Sequence, residues 1–356
     1  MISLENIPET FFTIIFGVLG LIFFGIIFGL LYKGIDRKLS AHMQGRIGPP
    51  IRQPFRDVVK LFTKENIVPE NSIPWIFNLA PLAGLIATIT ILLYIPIGGF
   101  EPLVTSQGDL ILILYLLIIP SLAMVIGGFA SGSPYATVGA QREMATMIGY
   151  EFPLAIIIVT FAWIFGSKTV GLLDPSLGPS NSFALATITS TPIWGSVGIL
   201  GFIGVITLLL VLLLVTPAEL SKIPFDTPEA ETEIAGGLLA EYSGRNLGMF
   251  YLTDAVKTVV MASLIVALFF PYNLSTIIGL TSYTAMIIDF IFFLIKVLII
   301  IVFSVTLVRV AIARLKIDQV VYTYWVWFTL LALVGLILIM WDRQLAFPTV
   351  ASWLGF

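Results

Sequence analysis

Between Trp194 and Pro217 the chain reads GSVGILGFIGVITLLLVLLLVT (195–216), twenty-two residues without one charge. A helix needs about 20 mostly apolar residues to cross the hydrocarbon core of a bilayer, so this stretch is of spanning length. Directly after it come Pro217-Ala218-Glu219 and a loop crowded with acids. That change of character repeats along the chain. Seven further apolar runs lie near 10–32, 76–97, 109–130, 147–166, 251–272, 282–311 and 321–340. The seventh of the eight (282–311) is long enough to tilt or to project from the bilayer.

The composition agrees. Of 356 residues 58% are hydrophobic and only 11% charged, and the mean hydropathy is +1.04. An ordinary soluble chain carries about 25% charge, so too little polar surface exists to cover a water-facing body of this size. The expectation is an all-α polytopic membrane protein with eight transmembrane helices, forming one membrane domain over 1–356. No secretory leader is expected, because no basic segment or small-residue cleavage site accompanies the first run. There is no convincing internal repeat, which argues against an inverted-repeat transporter. With no cysteine and a single His42, the chain has no thiolate ligands and no multi-histidine site, so electron transfer is expected on other subunits. Nothing points to nucleic acid.

Eight spans leave both termini on one side, and the basic residues say which. Fourteen lie on one side: Lys33, Arg37, Lys38, Arg46, Arg52, Arg56, Lys60, Lys64, Arg142, Lys222, Arg245, Arg309, Arg314 and Lys316. Only Lys168 and Arg343 fall on the other. The positive-inside rule puts the charged loops in the cytoplasm and the termini outside.

Two cytoplasmic loops carry most of the information. The first, about 33–75, contains an amphipathic segment at 54–65, where Phe55, Val58, Val59 and Phe62 fall at i, i+3, i+4 and i+7. Arg56, Asp57, Lys60 and Lys64 occupy the other side, the pattern of a helix lying in the interface plane. It reads equally as a loop anchor or a docking surface. The second, about 217–250, holds Glu219, Lys222, Phe225, Asp226, Glu229, Glu231, Glu233, Glu241 and Arg245. Clustered carboxylates beside a membrane oppose one another's ionisation and can exchange protons near neutral pH. A proton or cation path and an acidic docking surface are both open, and they can coexist.

Ionisable residues within apolar runs are the third signal. A charge at the centre of a spanning helix costs about 2.5–3.5 kcal/mol on insertion scales, so each needs a partner or a hydrated cavity. Asp254 and Lys257 are three apart and could pair; Asp289 and Lys296 are seven apart on one face. Glu151, preceded by Arg142 and Glu143, has no local cation and reads as a functional carboxylate.

Three blocks in order carry a resemblance that covers nearly the whole chain. They are Asp36-Arg37-Lys38…Gly48-Pro49…Gln53-Pro54…Asp57…Lys60-Leu61; Ser133…Tyr135…Gly139…Arg142…Tyr150-Glu151; and Ala218-Glu219…Pro224-Phe225-Asp226…Pro228-Glu229…Glu231…Glu233…Glu241-Tyr242. Together they resemble the membrane heel subunit of respiratory complex I, the bacterial H subunit and its mitochondrial counterpart. Four features depart from that pattern, one being the extra acid in Arg142-Glu143-Met144. Gly48-Pro49 and Gln53-Pro54 are separated by only three residues, the acidic block reads Glu-Ala-Glu-Thr-Glu at 229–233, and Lys222 stands where an arginine is usual. These variants are more similar to the corresponding subunit of group 4 membrane-bound nickel–iron hydrogenases and of the related archaeal membrane-bound sulfane-sulfur reductase.

The resemblance implies a non-catalytic subunit of an ion-pumping oxidoreductase in the plasma membrane of a prokaryote, its peripheral arm on the cytoplasmic side. The cofactors would be iron–sulfur clusters and a nickel–iron-type centre in partner subunits, none in this chain. The partners would be iron–sulfur and hydrogenase-like large subunits in the arm, and antiporter-like and small subunits in the bilayer. Glu143, Glu151, Glu219, Asp226, Glu229, Glu231, Glu233 and Glu241 would relay protons. Arg142, Lys222, Asp254, Lys257, Asp289 and Lys296 would tune or pair with them. Arg37, Lys38, Arg46, Arg52, Arg56, Phe225 and Arg245 would dock the arm. The alternative is a quinone-chamber subunit, against which the short first loop argues; a stand-alone transporter is more distant.

Overall fold

In hydrocarbon nothing outside the segment can satisfy a free backbone N–H or C=O, so each apolar run closes its hydrogen bonds within a helix. The computed structural model describes residues 7–105, 108–169, 183–190, 192–279 and 283–345. Its helices are α1 (Ile7–Met43), α2 (Gln53–Thr63), α3 (Pro74–Leu92), α4 (Asp109–Ala130), α5 (Pro134–Thr169), α6 (Leu185–Ser190) and α7 (Ile199–Glu219). They continue with α8 (Glu231–Ile234), α9 (Gly244–Phe269), α10 (Leu274–Ile278), α11 (Tyr283–Ile301), α12 (Leu307–Ala311), α13 (Ile317–Tyr322) and α14 (Thr329–Gln344). Short π-helical turns, Val302–Thr306 and Thr323–Phe328, join α11 to α12 and α13 to α14. Among the described residues, eight helical segments are long and apolar enough to cross a membrane, one for each expected run. Residue 282 and the side chain of Lys168 lie outside the described residues.

Two helices run further than the hydropathy suggests. α1 continues through Lys33, Asp36, Arg37 and Lys38 to Met43, and α5 begins at Pro134, so that Arg142 and Glu143 are helical. Hydropathy marks only the part of a helix that lipid can wet. The polar continuation is held instead by ion pairs with other elements.

α9 is the axis of the bundle, with its side chains from Ala255 to Phe269 buried. α1, α3, α7 and α11 pack around it, and α2 lies across its charged end. Phe55 and Val58 of α2 sit on Leu30, Leu252 and Ala255, while Val59 faces outward, so the amphipathic helix is anchored by its apolar face. At Gly29 a methyl group would stand 2.6 Å from the Ala255 carbonyl oxygen, and the missing side chain lets α1 cross α9 closely. Pro217 lacks the N–H that would bind the Leu213 carbonyl; the Ser304 hydroxyl, from the π-helical turn after α11, donates to that oxygen at 2.6 Å.

Candidate functional site

The acidic loop folds back into the charged end of the bundle. Pro224, Phe225, Asp226, Thr227 and Pro228 are buried. The Phe225 ring meets Tyr324 edge-on at 5.0 Å, and the Leu315 N–H donates to the Pro224 carbonyl at 3.2 Å. The loop presses on α5 at Gly139, where a methyl group would stand 2.8 Å from the Leu238 nitrogen and 2.9 Å from the Pro228 carbonyl oxygen. Only glycine lets the loop seat that deeply.

Seating brings its charges against those of α1 and α9. Asp254 lies between two ammoniums, with Lys33 Nζ at 2.5 Å and Lys222 Nζ at 2.6 Å from Oδ2. Lys33 Nζ is also 3.3 Å from the centre of the Tyr251 ring, a cation–π contact. One turn deeper, Lys257 Nζ is 2.8 Å from Glu219 Oε1 and donates to Ser121 Oγ at 3.0 Å. Ser121 in turn shares a hydrogen bond of 3.1 Å with the Tyr150 hydroxyl. Ser221 donates to Glu143 Oε2 at 3.4 Å. Among the described residues, Glu143 Oε1 and Glu151 Oε1 are buried without a hydrogen-bond partner.

Further ion pairs ring this centre. Arg142 reaches Glu233 and donates to the Thr227 carbonyl at 3.3 Å. Arg314 pairs with Asp226 at 2.6 Å, and Arg309 with Asp36 at 3.1 Å, where Thr306 also donates at 2.7 Å. Arg37 meets Asp57 of α2 at 3.2 Å, and Gln53 donates to the same carboxylate at 2.9 Å.

Two cavities adjoin within the cluster. One, of about 230 Å³, reaches inward past Lys222, Glu229 and Asp254 to Glu219 and Lys257. The other, of about 200 Å³, opens past Asp36, Asp226, Glu231 and Arg314. Lys33, Arg37, Ser221, Lys222 and Glu229 line both. Burial pushes the Glu229 carboxyl up to about 6; Lys222 and Lys33 oppose the shift, and Asp254 and Asp226 add to it. Electrostatic contact continues inward: Glu143 feels Glu229, Glu219 and Lys257, and Glu151 feels Glu219 and Lys257.

Several sequence expectations meet a different geometry. Asp254 and Lys257 do not pair with each other. Asp254 faces α1 and the loop, whereas Lys257 is turned to α4 and α7, where Ser121 and Glu219 receive it. Asp289 and Lys296 lie at the opposite end of the bundle. Asp289 accepts from the Ser275 N–H at 2.8 Å, and Lys296 donates to the Phe270 and Tyr272 carbonyls at 2.9 and 2.8 Å. Phe225 is buried and so unavailable to a docking partner, while Lys38, Arg46, Arg52, Arg56 and Arg245 are exposed. Glu231 and Glu233 are exposed at the rim, outside the buried group. Lys33, Asp36, Arg309 and Arg314, absent from the expected site, belong to it. Arg309 and Arg314 read from sequence as simple topology determinants, and only the folded loop shows their carboxylate partners.

Residues 16–340 match the family described as NADH dehydrogenase. Hydrogenase-4 component C of Escherichia coli K12 is 32% identical over 310 residues, covering 85% of this chain and 89% of the relative. The H subunit of the F(420)H(2) dehydrogenase of Methanosarcina barkeri is 30% identical over 342 residues, covering 90% and 92%. The H subunit of the NADH-quinone oxidoreductase of Syntrophotalea carbinolica is 31% identical over 253 residues, covering 66% and 70%. Among solved structures, a chain of the membrane-bound sulfane sulfur reductase, an archaeal respiratory membrane complex, superposes with a TM-score of 0.75 at 27% identity, covering 92% of this chain and 99% of that one. These relatives are subunits of complex I-like membrane complexes. The match over residues 16–340 and the relatives at 30–32% identity place this chain in the NADH dehydrogenase family, and its eight helices of spanning length among the described residues make it a multi-pass membrane subunit.

Proposed function

We propose that the chain is the heel of an ion-pumping oxidoreductase: it carries a peripheral redox arm on its charged end and turns electron transfer there into proton or sodium movement. In this reading the charged end is cytoplasmic, the termini lie outside, and the membrane is the plasma membrane of a prokaryote. The arm would bring iron–sulfur clusters and a nickel–iron-type large subunit. Antiporter-like and small membrane subunits would flank the chain in the bilayer. Lys38, Arg46, Arg52, Arg56 and Arg245 offer the arm an exposed basic rim.

The observation that carries the proposal is the graded set of carboxylates from loop to interior, Asp226 and Glu229 first, then Glu219 and Glu143, then Glu151. Glu229 feels Asp226, Glu143 feels Glu229 and Glu219, and Glu151 feels Glu219, with Lys257 acting on both Glu143 and Glu151. A unit charge appearing about 5 Å from a carboxylate, at an effective dielectric near 20, is worth about 3 kcal/mol, roughly two pKa units. A redox event above the loop would therefore shift proton occupancy below it, and the coupled groups would pass the change inward as one system. Arg142 and Lys222 would set the resting protonation, and the prolines around Asp226 would transmit a loop displacement. Glu151→Gln tests this. Assembly should remain intact on a native gel, while the redox-driven ion gradient in proteoliposomes is lost; a normal gradient refutes the relay.

A quinone chamber is the second reading, supported by the relative named for NADH-quinone oxidoreductase. The inner cavity, at about 230 Å³, lies below the roughly 300–1,000 Å³ usual for an organic ligand site, and its lining is densely charged. Quinone retained in the purified complex, with quinone-dependent turnover, would decide for it.

A further inference from the structure

At the end of the bundle away from the acidic loop, a pocket of mixed polar and apolar lining and an apolar groove meet. The pocket, of about 490 Å³, holds Thr105, Ser190, Asn273 and Lys296. The groove, also about 490 Å³, runs along α1 from Gly17 to Phe28 and is walled by Leu92, Ile95 and Phe290. Phe100, Glu101 and Pro102 line both, so the two are halves of one continuous recess.

The dividing wall is ordered. Ile97 and Phe100 exchange backbone hydrogen bonds at 3.2 and 3.1 Å, and the Val104 N–H donates to the Leu93 carbonyl at 3.1 Å. Leu103 packs onto Gly17, and the Phe100 ring meets Phe290 edge-on at 6.2 Å. In the pocket, Lys296 is positioned by the Phe270 and Tyr272 carbonyls, which engage two of its three N–H groups. Nζ also lies 4.9 Å from the centre of the Phe292 ring, and among the described residues no acceptor takes its third N–H. Glu101 is exposed on the shared rim.

We infer that this recess is a specific site for a phospholipid whose headgroup ends in an ammonium: the phosphodiester takes the third N–H of Lys296, the ammonium faces Glu101, and one acyl chain lies in the α1 groove. Charge complementarity selects the headgroup, since a cation and an anion stand at the two sides of its pocket. The groove begins where the headgroup pocket ends and is apolar apart from that rim, as an acyl chain requires. A helix of a neighbouring subunit would fill the groove but leave the third Lys296 N–H without an acceptor, so the lipid is the occupant that accounts for both halves. The site is independent of the relay at the charged end.

Gly20 supplies the test, because nothing among the described residues lies within 4 Å of a methyl group built there and the residue lines the groove. Gly20→Phe should fill the groove without disturbing the bundle. The intact complex, delipidated in mild detergent, would be incubated with vesicles of phosphatidylethanolamine bearing a photoreactive diazirine on one acyl chain. Parallel samples would use the phosphatidylglycerol counterpart, or add inorganic phosphate as competitor. Expected are cross-links concentrated on 17–28 and 92–103, at least tenfold weaker in Gly20→Phe. Labelling should also be weaker in Lys296→Gln, largely restored in Lys296→Arg, and stronger for the ethanolamine lipid than for the glycerol lipid. Labelling spread evenly over the spanning helices, equal labelling in Gly20→Phe, equal labelling by the two lipids, or cross-links blocked by a subunit helix in the groove would overturn the inference. Inorganic phosphate that competes as well as lipid does would show an anion pocket without the acyl groove, and would overturn it too.

Discussion

Lys257 and Glu219 face each other across 2.8 Å between α9 and α7, with side chains only 4% and 2% exposed. Neither charge is tolerable in that position without the other. Removing one partner of a buried pair typically costs about 3–5 kcal/mol, because the survivor stays buried and uncompensated, whereas replacing both is often near neutral. Lys257→Met should therefore lower the thermal midpoint of the complex sharply. Lys257→Met combined with Glu219→Gln should recover most of it. A double variant as unstable as the single one would show that Lys257 acts through packing alone.

Asp254 presents the opposite arithmetic, one carboxylate against Lys33 and Lys222. Lys222→Met leaves a neutral Lys33–Asp254 pair and should cost little. Asp254→Asn leaves two ammoniums facing each other and should cost about 1–3 kcal/mol, moderated by the partial exposure of all three groups. Thermal melting of the detergent-solubilised complex measures the order; equal losses would mean the second lysine contributes no net repulsion.

Glu229 ties stability to pH. Its carboxyl titrates at about 6 in the folded chain against 4.5 when unfolded. Between those values the folded state holds more protons than the unfolded one, so stability falls as pH rises. The contribution is fully present below pH 4.5 and lost as pH passes 6. In Glu229→Gln that segment of the pH–stability curve should flatten relative to the parent protein. An unchanged slope between pH 4.5 and 6.5 in urea titrations would assign the dependence to another group.

The sequence made the spans, the acidic loop and the amphipathic helix legible because each is a local pattern, an apolar run or a 3.6-residue stripe. The partners of the charges were not legible. Asp36 meets Arg309 at 3.1 Å across 273 positions of chain, and Lys33 meets Asp254 across 221. Spacing along one helix suggested Asp254 with Lys257, yet neighbours on a helix three residues apart diverge enough for each to face a different helix. Glu151 and Glu143 stand out in the sequence as acids beside an apolar run, and the fold sets both within electrostatic reach of Glu219 and Lys257. Lys33 and Arg314 carried no such signal, since basic residues at the charged end of a span are expected for orientation alone.

The depth at which the acidic loop is seated rests on Gly139, and this can be tested apart from any charge. A methyl group there would approach the Pro228 carbonyl oxygen and the Leu238 nitrogen to under 3.0 Å, and both are backbone atoms that cannot swing aside. Overpacking of this kind typically costs about 1–3 kcal/mol. Because α5 is otherwise unaffected, the strain should be relieved by displacing the loop, not by unfolding the bundle. Gly139→Ala should then raise protease cleavage within 220–243 while the complex still assembles. Arg142 would lose its bond to the Thr227 carbonyl as the loop lifts, and Glu229 would gain solvent. The same variant should thus bring the Glu229 carboxyl back toward its ordinary value and weaken redox-driven ion movement without touching a titratable group. Unaltered cleavage together with normal ion movement would show that the loop tolerates displacement and that its depth does not govern coupling.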